Sequence, residues 1–109
     1  MKRYEVLLTE DAQQDIEDLH GFIAETDSPT AADHLLDRLV QLAENLASFP
    51  ERGAFPQELK ALGMRDFRQV LFKPYRVVYR IRDRCVYIYL VADGRRNMQT
   101  LLARRLLGG

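Results

Sequence analysis

The chain of 109 residues has one cysteine, no tryptophan, two histidines and six scattered glycines. A lone Cys85 excludes an internal disulfide framework and a multi-cysteine zinc site, and it fits a reducing compartment. His20 and His34 fall on predicted helices with no second His or Cys at ligand spacing, so no metal site is expected. The only adjacent glycine pair is Gly108-Gly109, so there is no glycine-rich phosphate loop and no cofactor is expected. Ser28, Ser48 and Cys85 lie in no nucleophile motif. No apolar run approaches the ~20 residues needed to span a bilayer. Met1-Lys2-Arg3 leads into a charged, strand-like segment rather than a signal-peptide core. A cytoplasmic protein without membrane association is therefore expected.

What the chain does contain is an ordinary globular balance, with 47% hydrophobic and 29% charged residues, enough for one domain spanning residues 1–109 with a core of its own. Its net charge of zero hides a division. Residues 1–60 carry five Lys/Arg against thirteen Asp/Glu, whereas residues 61–109 carry eleven against three, giving minus eight and plus eight. This asymmetry predicts an acidic side and a basic side, and the basic side calls for a partner.

The period of the apolar residues predicts an α+β fold. Arg3 to Leu8 alternates as a short strand. Thr9 offers a cap with Glu10 and Asp11 in the following turn, and Ala12, Ile16, Leu19 and Ile23 then share one helix face over 10–25. Asp15, Glu17 and Asp18 lie off that face and read as solvated surface. Ser28-Pro29 opens a second helix over 29–47, with the stripe Leu35, Leu39, Leu42, Leu46 beside a second stripe Ala32, Leu36, Val40, Ala43. So short a connection predicts an antiparallel helical hairpin. After Gly63 the period becomes two, predicting a three-stranded antiparallel meander over 67–71, 75–81 and 86–91 with short turns. In the middle strand Arg76, Val78, Arg80 and Arg82 share one face, which predicts a row of guanidinium groups along the sheet. A short helix from Met98 to Leu107 should turn Leu101, Leu102 and Leu106 inward and Arg104 and Arg105 outward. Cys85, at a strand start, reads as a small buried apolar residue.

The basic half interleaves aromatics with arginines: Arg65, Phe67, Arg68, Phe72, Tyr75, Arg76, Tyr79, Arg80 and Tyr87. Guanidinium groups bind phosphate or carboxylate bidentately and aromatic rings stack on bases, so the composition suits RNA and equally an acidic protein partner. The same tyrosines also suit a plain core.

Several motifs then fall in a recognisable order: Tyr4-Glu5-Val6, Glu10-Asp11-Ala12 with Asp15-Ile16, Ala31-Ala32, Phe49-Pro50-Glu51-Arg52-Gly53, Gly63-Met64-Arg65, the strand Tyr75 to Ile81, and Val91-Ala92-Asp93-Gly94-Arg95-Arg96-Asn97. Together they resemble the RelE/ParE superfamily of bacterial type II toxins, nearest its ParE branch. The resemblance implies an N-terminal strand, a helical hairpin on one sheet face, the meander and a C-terminal helix. It also implies a cognate ParD-like antitoxin whose acidic C-terminal segment folds on the toxin, making a toxin-antitoxin hetero-oligomer, with Arg65, Arg68, Arg76 and Arg80 as candidate antitoxin contacts. In the RelE branch, a Tyr or His near the C-terminus activates an mRNA 2′-hydroxyl, but here Thr100, Leu101 and Leu102 stand at those positions. No catalytic residue is therefore assigned. The ParE branch implies a binding inhibitor of DNA gyrase that blocks replication and growth, with Arg95, Arg96, Arg104 and Arg105 as candidate target contacts. A ribosome-dependent mRNA endonuclease and a non-toxic antitoxin-binding module are the alternatives.

Overall fold

A computed structural model describes residues 3–107; the terminal Gly108-Gly109 pair and the first two residues lie outside them. Strand β1 (Glu5–Leu8) leads through Thr9 into α1 (Glu10–Thr26). The Thr9 hydroxyl accepts the Ala12 amide at 3.1 Å, and Glu10 and Asp11 occupy the turn where the helix dipole favours negative charge. The Ser28 hydroxyl caps α2 (Pro29–Ser48) by accepting the Ala31 amide at 3.0 Å, with Pro29 in the first turn, where a missing N–H costs nothing. Each of these helices runs one residue past its expected end. A four-residue turn of helix, α3 (Gln57–Lys60), precedes the meander of β2 (Phe67–Phe72), β3 (Tyr75–Arg82) and β4 (Cys85–Asp93). Helix α4 (Met98–Leu106) closes the chain, its amide at Thr100 capped by the Asn97 side chain.

The four strands form one sheet in the order β1-β4-β3-β2. β1 pairs parallel with β4 and the other contacts are antiparallel, so β4 and β3 are the central strands. That position explains the near-continuous apolar run of β4, where Val86, Ile88, Leu90, Val91 and Ala92 are all buried. A register shift at Val78/Tyr79 sets Val78 opposite Leu90 and Tyr79 opposite Ile88, leaving Tyr89 as the extra residue of a bulge. The bulge lets one strand serve two cores. Val86, Ile88 and Val91 join Ala12, Leu46, Val70, Val77 and Tyr79 under the hairpin, while Leu90 and Ala92 join Leu59, Phe67, Val78, Met98 and Leu102 on the other face.

The second face corrects an expectation. It is not an open row of guanidinium groups, because α3 and α4 contribute Leu59, Met98 and Leu102 to a core that takes in Val78. Cys85 is also less enclosed than expected: it is half-buried at the first position of β4, which is where the β3–β4 turn meets water.

Candidate partner-binding surfaces

The Pro50–Gly53 loop is fastened to the sheet by the buried Tyr79 hydroxyl and the Arg68 guanidinium, with Ala54 just past it backbone-paired to Gln69. Tyr79, fully buried on β3, donates to the Pro50 carbonyl at 2.6 Å and accepts the Gly53 amide at 3.0 Å. Burial raises its phenol pKa above the ordinary value, so the hydroxyl stays protonated and able to donate. Gly53 is required by this close approach, since a Cβ there would sit 2.6 Å from the Tyr79 hydroxyl and 2.7 Å from the Gln69 carbonyl. The same loop orients Arg68, whose guanidinium donates to the carbonyls of Glu51 at 3.1 Å and Gly53 at 2.9 Å. Arg68 lies 4.6 Å from the ring centroid of Phe55, and Arg65 lies 6.0 Å from it. Arg80 sits over Phe67 at 5.7 Å. Arg65, Arg68 and Arg80 thus converge, with Glu51, Asp66 and Ile81, on an open depression of about 310 Å³ at the start of β2.

Arg76 does not join them. Its guanidinium donates to both Glu58 oxygens, at 3.0 and 2.9 Å, and to the Gln69 side chain. This bidentate pair holds the Glu58 carboxyl below its ordinary pKa and anchors α3 to the sheet. Of the four residues expected to meet an antitoxin, three line one surface and the fourth is already engaged within the molecule.

The C-terminal arginines divide in a similar way. Asp93 accepts the backbone amide and the guanidinium of Arg95, which depresses its pKa to about 2. The Arg95 side chain nevertheless stays exposed. Arg96 and Arg104 are exposed, and among the described residues neither makes an ion pair. Arg105 does not point outward as expected. Its side chain is 17% exposed and bonds both oxygens of Asp15, at 2.8 and 2.9 Å, and the Tyr89 carbonyl at 2.7 Å. Asp15, read from sequence as solvated surface, is equally enclosed. Counting charge within each half could not reveal these pairs, because Glu58–Arg76 and Asp15–Arg105 each join one half to the other.

A further surface went unrecognised in the sequence. Val6 and Leu8 of β1, with Leu36, Leu39, Val40 and Ala43 of α2, line an apolar groove of about 410 Å³. Leu8 and Val40 are 46% and 57% exposed. The signal was the second stripe on α2, which the hairpin and sheet cover only in part.

The tyrosines and histidines are placed as follows. Tyr79 is buried, and the Tyr89 ring stands edge-on to Phe67 at 5.2 Å. Tyr87 has a phenol pKa raised chiefly by the neighbouring Cys85 side chain. His20 bonds Asp33 across the hairpin at 3.0 Å, and His34 lies exposed on α2. Among the described residues no group of three or more His, Cys, Asp or Glu could hold a metal, and no helix is long and apolar enough to cross a membrane.

A strand-hairpin-meander sheet closed by a C-terminal helix is the architecture of RelE/ParE-type toxins, and solved structures of that class share it. The chromosomal ParDE toxin-antitoxin system of P. aeruginosa superposes with a TM-score of 0.68 at 14% identity, over 84% of this chain and 96% of that one. The RelBE2 toxin-antitoxin complex of Mycobacterium tuberculosis gives 0.61 at 24% identity, over 85% and 93%. Residues 6–98 match the family described as "ParE toxin of type II toxin-antitoxin system, parDE". Toxin ParE3 of Caulobacter vibrioides is 27% identical over 100 residues, which span 92% of this chain and 96% of that protein. The chain belongs to the ParE toxin family.

Proposed function

We propose that this ParE-type toxin stops growth by binding DNA gyrase in the cytoplasm, and that a ParD-like antitoxin holds it inactive. The observation that carries the choice of target is the placement of the phenols and imidazoles. Ribosome-dependent cleavage needs a general base beside the scissile phosphate. The depression formed by Arg65, Arg68 and Arg80 is lined by no Tyr or His. Thr100, Leu101 and Leu102 occupy the stretch where an mRNA-cutting relative keeps its base. The buried Tyr79 hydroxyl is engaged by the Pro50 carbonyl and the Gly53 amide and is not free to act as a base. Exposed Arg95, Arg96 and Arg104 then serve to bind a target, not to stabilise a reacting phosphate.

The antitoxin places carboxylates at Arg65, Arg68 and Arg80 and apolar side chains in the groove between β1 and α2. Charge supplies fast, selective encounter and the groove supplies buried area. That the two solved relatives belong to a ParDE system and a RelBE2 toxin-antitoxin complex supports such a hetero-oligomer.

Pulse labelling of cells induced for the toxin tests the reading. Incorporation of thymidine should fall while incorporation of methionine continues, and co-expressed antitoxin should restore thymidine incorporation. Prompt arrest of methionine incorporation with cut ribosome-bound mRNA would establish the nuclease alternative, and unimpeded growth would establish a non-toxic binding module.

A further inference from the structure

β1 stops at Leu8, opposite Ile88, because the Thr9 amide makes the last bond to β4 and the chain turns into α1. β4 continues to Asp93, so among the described residues its edge beyond Ile88 has no neighbouring strand. Two side chains take that strand's place. Asp15 of α1 accepts the Val91 amide at 3.0 Å, as a strand carbonyl would, and Arg105 of α4 donates to the Tyr89 carbonyl at 2.7 Å, as a strand amide would. The two side chains are bonded to each other through both carboxylate oxygens, and Asp11 lies 3.7 Å from the Arg105 guanidinium. Because α1 lies on one sheet face and α4 on the other, this single pair laces the two layers together around the open edge.

We infer that Asp15 is a positioning residue for the target-binding surface: through Arg105 it fixes the last turn of α4, and so sets where Arg104 stands relative to Arg96. α4 is nine residues long, too short to hold a direction by itself. Met98 and Leu102 are its fully seated apolar residues, whereas Leu101 and Leu106 are only partly buried. Without Asp15, the enclosed Arg105 guanidinium loses its two-point carboxylate partner and turns toward the exposed Asp11 and water, which draws the last turn off the sheet. The inference rests on the reading that exposed C-terminal arginines meet the target.

The test separates target inhibition from antitoxin binding, since a merely structural role would weaken both. Purified Asp15→Ala toxin is titrated against gyrase supercoiling and, separately, against the antitoxin, with amide exchange followed at Val91 and along α4. Inhibition should weaken about ten- to a hundredfold, the equivalent of one charge-assisted contact, with antitoxin affinity unchanged and exchange faster at Val91 and Leu101–Leu106. Asp15→Asn keeps an acceptor for Val91 and provides a folded variant should the alanine variant fail; it should show the same split. Equal losses in both titrations, or unchanged exchange in α4, overturn the inference. If Arg96→Ala with Arg104→Ala weakens inhibition but neither Asp15 variant does, the inference falls alone. If none of these variants weakens inhibition, the target reading falls with it.

Discussion

Tyr79→Phe tests how much of the hold on the Pro50–Gly53 loop comes from one hydroxyl. The substitution keeps the ring in the core and removes only the oxygen, so no cavity of consequence forms. Two bonds are lost, to the Pro50 carbonyl and from the Gly53 amide. The carbonyl is partly exposed and water can replace the phenol there, but the Gly53 bond is buried and its amide is left unpaired. Stranding a buried donor costs about 1–3 kcal/mol, and a lost bond at the carbonyl adds about 0.5–1 kcal/mol, so the total should lie at about 1.5–4 kcal/mol, with a midpoint of about 2.5–3 kcal/mol. For a domain of this size that corresponds to a fall in Tm of about 10 °C. Urea and thermal unfolding read the stability, and amide exchange at Gly53 locates the loss. Because Arg68 is oriented by the carbonyls of Glu51 and Gly53, antitoxin affinity should fall as well. Tyr75→Phe, on the same strand and packed on Phe72, is the comparison and should change stability by less than about 0.5 kcal/mol. If Tyr79→Phe is as mild as Tyr75→Phe, the loop is held by something else and the account of Gly53 fails with it.

Three further outcomes are expected. The depressed carboxyl pKa values of Glu58 and Asp93 mean that their pairs with Arg76 and Arg95 stabilise the fold above the unfolded values of 4.5 and 3.8; that contribution is lost as pH falls toward the folded values, which for Asp93 is about 2. Thermal melts should therefore be flat from pH 7 to 5 and fall below, and Arg76→Ala should remove part of the acid slope; an identical slope would count against the pairing. Arg65→Ala combined with Arg80→Ala should weaken antitoxin binding and flatten its dependence on ionic strength, whereas unchanged affinity across a salt series would discredit the depression as an antitoxin site. Tyr87→Phe and Tyr89→Phe should both retain growth arrest, where a phenol acting as general base would cost on the order of 10²-fold or more.

Local chemistry made most of the fold legible. Thr9, Ser28-Pro29 and the change of period after Gly63 mark element ends because capping and side-chain alternation act over a few residues, and the structure places those ends within a residue or two. What escaped was long-range. No local pattern in Glu5–Leu8 says that it pairs parallel with Cys85–Ile88, and no alternation rule anticipates the bulge at Tyr89 that turns Leu90 and Ala92 to a second core. The candidate surfaces show the same division. Arg65, Arg68 and Arg80 do converge, but Arg76 and Arg105 are taken up by Glu58 and Asp15, partners 18 and 90 positions away. The apolar groove was visible as a second stripe on α2, yet only the packed structure tells a covered stripe from one left open at Leu8 and Val40.

The most direct test of the central claim is a titration of purified toxin into a gyrase supercoiling reaction. The account predicts dose-dependent loss of supercoiling, relieved by antitoxin and weakened when Arg96 and Arg104 are both replaced with Ala. Undiminished supercoiling at excess toxin, with cleavage of ribosome-bound mRNA by the same preparation, would contradict it.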